Sequence, residues 1–244
     1  MSGHSKWSQI KRSKGVTDAK RAKLFTKLAR VITVTTREGG EDQDTNFKLR
    51  LATEQAKQAN MPKENIMRAI KRGSGKLDEG KKIEEITYEA YGPGKVALLI
   101  QVITDNRNRT ISELRRILSQ SGGQLAESGS VAWMFKCYGL LIIDHCQKQV
   151  VNLDDFELQI IDWGATEMKA KETDLFIYTN PQNLTTLKQK IEQQNIKITS
   201  SELIWESKNK ITMERAEVKE KIDRLLDQLD EHTDVNEIYT NLEE

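Results

Sequence analysis

From Asp18 to Arg37 the apolar residues recur at helical spacing: Ala22, Phe25, Leu28, Ala29 and Ile32 form one stripe, and Lys20, Lys23, Lys27, Arg30 and Arg37 fall on roughly the opposite side. Thr17 can cap this helix, and Gly39 and Gly40 close it. A second helix is predicted to begin after Asp44 or Thr45, to bury Phe47, Leu51 and small alanines, and to stop near Asn60. Pro62 starts a third, because a proline's missing N–H is tolerated in a first helical turn, and Gly73 ends it behind the cations Lys71 and Arg72. The pattern predicts a small all-helical domain over residues 1–76. A helix-turn-helix docking mode is disfavoured, since no recognition helix rich in Asn, Gln and Arg stands out.

After a polar, Gly-bearing stretch from Gly73 to Lys82, expected to be a flexible linker, the pattern changes to strands. Ile86–Tyr91 and Val96–Thr104 are β-rich runs joined by the turn signal Gly92-Pro93-Gly94, and a helix from about Thr110 to Ser121 ends at Gly122 and Gly123. From Lys136 the order reads strand to Ile143, helix Leu153–Trp163, strand Thr166–Ala170, strand Asp174–Tyr178, helix Leu184–Gln194, strand Lys197–Trp205. That βαββαβ order is the ferredoxin-like plan, an antiparallel sheet with two helices on one face. A helix over Met213–Glu231 and a strand over Val235–Tyr239 are too little for a domain and are expected to return to the middle of the chain. The expected fold is thus α+β and multidomain: a helical domain at 1–76, a discontinuous α+β domain at 77–135 plus 206–244, and an inserted ferredoxin-like domain at 136–205.

Composition adds bounds rather than detail. With 244 residues, 37% hydrophobic and 31% charged, the chain is expected to fold as more than one globular domain. No apolar run approaches the roughly 20 residues of a membrane span, and MSGHSKW lacks the apolar core of a secretory signal, so a cytoplasmic protein is expected. Cys137 and Cys146 are sparse enough to suit free thiols in a reducing compartment.

Charge changes the picture most. The first 76 residues hold eighteen Lys and Arg against seven Asp and Glu, a net +11; since the whole chain carries +1, the other 168 residues carry −10. Between His4 and Arg30 the cations Lys6, Lys11, Arg12, Lys14, Lys20, Arg21, Lys23, Lys27 and Arg30 are offset only by Asp18. Cations that meet phosphates release condensed counterions, so this segment predicts salt-dependent nucleic-acid binding with little sequence preference. A merely solvated helix face is the alternative, and the lopsided count argues against it. Trp7 among Lys6, Lys11 and Arg12 offers a stacking surface for unpaired bases, or else docks on the helical domain.

Material for catalysis is poor. His4, His145 and His232 are the three histidines, and none has an evident partner; His145 and Cys146 lie in no zinc-like spacing. Gly92-Pro93-Gly94 lacks the glycine spacing and following Lys-Ser or Lys-Thr of a phosphate cradle. At Thr104-Asp105-Asn106-Arg107-Asn108-Arg109-Thr110, Arg107 and Arg109 flank a helix start and can hold a phosphate; equally, Asp105 and Asn106 can cap the turn while the arginines pair with acids of the same domain. No carboxylate cluster suggests a metal-dependent hydrolase or nuclease, and neither metal nor cofactor is expected.

GHSKW at Gly3–Trp7, DAKRAKLFTKL at Asp18–Leu28, NMPKENI at Asn60–Ile66 and AIKRG at Ala69–Gly73 resemble the YebC/PmpR family. So do YEAYGPG at Tyr88–Gly94, TDNRNRT at Thr104–Thr110, the Gly122–Phe135 run ending GSVAWMF, and DVNEIYTN at Asp234–Asn241, while Cys137–Lys210 agrees in element order alone. The resemblance implies three domains, a helical one followed by two α+β ones, and a role commonly labelled as probable DNA-binding transcriptional regulation. Relatives that include a mitochondrial translational activator imply an alternative, a ribosome-associated translation factor gripping ribosomal RNA. Either way the expectation is a non-enzymatic, monomeric regulator contacting nucleic acid through Lys6, Trp7, Lys11, Arg12, Lys14, Lys20, Lys23, Lys27 and Arg30, with Arg107 and Arg109 as a second contact.

Overall fold

A computed structural model describes residues 18–77, 83–146, 149–213 and 215–243, with side chains of the first helix from Arg21 onward. Its described residues form an α+β fold of seven α-helices and two four-stranded sheets, with a helical N-terminal region. They fall into two compact units, one of the described residues up to 135 together with those from 206 onward, and one of those between 136 and 205.

In the first unit, α1 (Asp18–Gly39), α2 (Phe47–Gln58) and α3 (Lys63–Gly73) share a core. Leu28 and Ile32 from the apolar stripe of α1 are buried with Leu49, Ala52 and Ala56 of α2, Met61, and Ile66 and Ala69 of α3. Buried Asn46 stitches the first two helices: its Oδ1 accepts the Leu49 N–H at 3.0 Å and its Nδ2 donates to the carbonyls of Thr35 and Gly40, each at 2.8 Å. Gly73 ends α3 hard against α1, where an added Cβ would press on the Thr33 carbonyl oxygen and lie 2.6 Å from Thr36 Cβ.

The sheet of this unit has the order β3-β1-β2-β8, with β1 at Glu84–Tyr91, β2 at Ala97–Thr104, β3 at Gln124–Leu125 and β8 at Val235–Thr240. Strands β1 and β2 pair antiparallel from Glu84↔Thr104 to Tyr91↔Ala97, and β8 closes on β2. Helices α4 (Arg107–Gln120) and α7 (Ala216–Glu231) bury Leu114, Ile117, Leu118, Ile222, Leu225 and Leu229 in one cluster with Tyr88, Leu98, Ile100, Val102 and Val235. Helix α1 lies against β2. The short β3 is an element that its two-residue length hides from periodicity. Helix α4 starts at Arg107 rather than Thr110, because the Asn106 side chain accepts the Arg109 N–H at 3.1 Å and caps it there. Helix α7 starts at Ala216 rather than Met213.

The second unit runs β4 (Phe135–Ile143), α5 (Leu153–Asp162), β5 (Ala165–Lys171), β6 (Asp174–Thr179), α6 (Leu184–Gln193) and β7 (Ser200–Ser207), with strand order β5-β6-β4-β7. Its β7 begins at Ser200, not Lys197. Central β4 buries Leu140, Leu141, Ile142 and Ile143, which is why this stretch reads as a continuous apolar run. Phe156 and Ile160 of α5 and Leu184, Leu187 and Ile191 of α6 are the buried helical positions. Cys137 and Cys146 are both free thiols.

Candidate nucleic-acid interface

The basic face of α1 is where the sequence places anion contact, and the structure gives its members different surroundings. Lys6, Trp7, Lys11, Arg12, Lys14 and the Thr17 cap lie outside the described residues, as does the side chain of Lys20. Arg21 is exposed and Lys23 half-buried. Burial, and then the neighbouring Lys27 charge, lower the Lys23 ammonium from its ordinary value against the opposing pull of Asp230 and Glu231. This side of α1 therefore faces the acidic end of α7.

Lys27 is turned inward, at 3% exposure, with Nζ 3.0 Å from Asp230 Oδ1 and 3.2 Å from the Asp230 carbonyl oxygen. One turn on, Arg30 Nη1 donates to Asp234 Oδ1 at 2.9 Å and to the Thr233 carbonyl at 2.6 Å. At the end of α1, Arg37 donates to the Ile83 carbonyl at 2.9 Å. These bonds tie the helical region to the sheet on both sides of the Gly73–Lys82 stretch. Asp230 and Asp234 supply the counter-charges that hold α1 in place.

Asp234 is the hub, with a side chain only 1% exposed. Its Oδ2 accepts from Arg109 Nη2 at 2.7 Å, Thr110 Oγ1 at 2.7 Å and Thr104 Oγ1 at 3.1 Å, while Arg30 holds Oδ1. Burial pushes this carboxyl up; the Arg109 and Thr110 hydrogen bonds and the Arg109 and Arg30 charges outweigh it, leaving the group at about 2. Arg109 also meets Asp105 at 3.0 Å. Of the two readings open for this loop, the capping and pairing one describes Arg109, whereas Arg107 is exposed.

His232, without an evident partner in the sequence, has two: its Nε2 lies 2.8 Å from Glu113 Oε2, and its Nδ1 accepts the Asp234 N–H at 3.1 Å. Glu113, His232 and Asp234 form the one group of metal-ligating types within 4.8 Å of one another among the described residues. With Asp234 held by two guanidiniums and two hydroxyls, the group is an ion-pair network, and a divalent cation there would compete with charges already in place.

A second buried carboxylate was missed by sequence reading. Glu89 of β1 accepts the N–H groups of Gly129, Val131 and Ala132 at 2.6, 2.5 and 2.8 Å. Burial raises this carboxyl, and the three backbone donors more than reverse it, so its value falls below the ordinary one. The loop it organises presents Trp133, 60% exposed, whose indole N–H donates to the Ser130 carbonyl at 3.0 Å. Period-two patterning places Glu89 in a strand, but nothing local announces a loop forty residues later.

Comparison with known proteins gives consistent matches over both regions. Residues 5–76 match the model of the TACO1/YebC protein N-terminal domain, and residues 83–242 that of the TACO1/YebC second and third domain. A protein of Halothermothrix orenii named a probable transcriptional regulatory protein is 44% identical, covering 100% of this chain and 95% of its own length. A protein of the same description from Fervidobacterium nodosum is 45% identical over 100% of this chain and 94% of its own. The crystal structure of a conserved hypothetical protein from Aquifex aeolicus superposes with a TM-score of 0.85 at 40% identity, covering 97% of this chain and 96% of that one.

Proposed function

We propose, from the premise that this chain belongs to the TACO1/YebC family, that it is a non-enzymatic regulator of gene expression acting by binding duplex DNA through its basic N-terminal segment. The observation that carries the reading is the separation of charge, +11 in the first 76 residues against −10 in the rest. The transcriptional-regulator names of its relatives favour DNA as the polymer.

Within that reading Lys6, Trp7, Lys11, Arg12, Lys14, Lys20 and Lys23 are the principal contacts, and Arg107 is a further one. Lys27 and Arg30 of that surface, and Arg109 of the second contact, are bonded to Asp230 and Asp234, which suits them to holding α1 against the body so that its outer cations are presented together. We read residues 136–205 as a ferredoxin-like domain inserted into the α+β body, since its strand order is that of the plan. The protein acts as a cytoplasmic monomer without a cofactor. No helix among the described residues is long and apolar enough to cross a membrane.

The test is titration of the full chain against labelled duplex DNA across a salt series, beside a K11E/R12E/K14E variant, with purified ribosomes as competitor. Salt-dependent DNA binding lost in the variant supports the reading. Equal binding by the variant removes the basic lead from it, and ribosomes that strip the protein from DNA in the variant-sensitive way point to ribosomal RNA instead.

A further inference from the structure

Helix α4 has a solvent face unlike an ordinary solvated one. Thr110, Leu114, Ile117 and Leu118 are its buried positions. Arg107, Asn108, Ser112, Arg115, Arg116 and Ser119 are all exposed. The only acid on the helix, Glu113, is engaged by His232 Nε2 at 2.8 Å. Arg107, Arg115 and Arg116 make no ion pair with a described residue. A surface helix commonly balances its cations with acids three or four positions away; here Arg115 has Ser112, Leu118, Ile111 and Ser119 at those positions, and the one acid so placed for Arg116, Glu113, is turned to His232.

We propose that this face of α4 is a second contact surface for the phosphate backbone of duplex DNA, resting on the reading given above. Arg115, Arg116, Asn108, Ser112 and Ser119 fall within about 100° of one another around the helix, so two guanidiniums and three short polar groups share one face, while Arg107, nine residues from Arg116, projects about half a turn away from it. Asn108, Ser112 and Ser119 between them are short polar groups of the kind that bond phosphate and sugar without reading sequence. The surface is also fixed relative to α1, because Arg30 of α1 and Arg109 of α4 hold the two oxygens of one Asp234 carboxylate. A duplex gripped by the basic lead and α1 is thus offered a rigid second row of cations.

The experiment compares full-length wild type, R115E/R116E and R115K/R116K in fluorescence anisotropy with a labelled duplex and with a single-stranded RNA of equal length, each across a salt series. Thermal melts establish that the exposed substitutions leave the fold intact. Duplex affinity is expected to fall about tenfold or more in the reversal variant, with a log–log salt slope shallower by about two, and to be largely kept by the lysine variant. Wild-type affinity and slope in R115E/R116E, while wild type itself binds duplex, would overturn this surface and leave the proposed function standing. Failure of wild type to bind duplex sinks both. A loss confined to RNA overturns the assignment to a duplex.

Discussion

Arg30 and Asp234 stand 204 residues apart in the chain and 2.9 Å apart in space. Arg109 takes the other carboxylate oxygen at 2.7 Å, so one acid joins α1, the start of α4 and the start of β8. Three of the sequence motifs noted at the outset, at Asp18–Leu28 with its continuation to Arg30, Thr104–Thr110 and Asp234–Asn241, converge on it. A charge this deeply buried is tolerable only when it is paired and hydrogen-bonded, and four donors meet that need.

The hub makes stability depend on acid pH. Asp234 has an ordinary value of 3.8 and about 2 in the folded chain, so folding weakens its hold on the proton. Its contribution, about 2 kcal/mol, is complete above the ordinary value and fades as pH falls through 3.8 toward 2. Denaturant unfolding of wild type and Asp234→Asn from pH 6 to pH 2 should show a gap of roughly 2–3 kcal/mol at neutral pH that narrows over this window. A gap constant down to pH 2 would remove Asp234 from this role.

Lys27 and Asp230 should behave as a coupled pair. A double-mutant cycle with Lys27→Ala and Asp230→Ala is expected to give a coupling of about 1–2 kcal/mol in unfolding free energy, because Lys27 is buried and screening is weak. Purely additive losses would mean that the 3.0 Å contact is incidental. Charge reversal at Lys27 consequently reports on folding, and nucleic-acid assays of such a variant require a stability control.

Replacing Glu89 by Gln removes the charge and sets an amide N–H₂ among three N–H donors. The expected cost is about 2 kcal/mol, and the local signature is faster hydrogen exchange at the Gly129, Val131 and Ala132 amides than at the β1–β2 ladder. Unchanged protection at those three amides would argue against Glu89 as the organiser of the loop.

Gly73→Ala is expected to destabilise the helical region by about 2 kcal/mol through overpacking on Thr33 and Thr36. Gly75→Ala, at an open position with φ of +76°, tests backbone strain without a clash, and the two melting temperatures separate the effects. Equal losses would show that crowding on α1 is not the cause.

The elements were legible because their signals are local. The apolar stripe through Leu28 and Ile32, the proline at position 62 and the glycines after α1 and α4 place helices to within a few residues, as the Leu153 and Leu184 starts do in the second unit. Misses occurred where a side chain outside the periodic pattern decides the boundary, as Asn106 does for α4. The surroundings of the basic face were not legible. Lys27 and Lys23 are alike in sequence, both on the polar side of one helix, and only the approach of Asp230 from α7 separates a buried tether from a half-exposed cation. Arg115 and Arg116 carry no signal in a charge count dominated by the N-terminal run, and Glu113, three positions before Arg116, is taken by His232, 119 residues further along the chain.

The long separation of Arg30 from Asp234 also sets a clock on synthesis. At 5–20 residues per second, the ribosome delivers Asp234 roughly 10–40 s after Arg30. Throughout that interval α1 exists without the acids that later restrain it, and β2 waits for its β8 partner while the whole 136–205 unit is made and has time to fold. A nascent chain stalled before Asp234 therefore exposes an unrestrained cationic helix to every polyanion near the exit tunnel, a state that completed molecules leave behind.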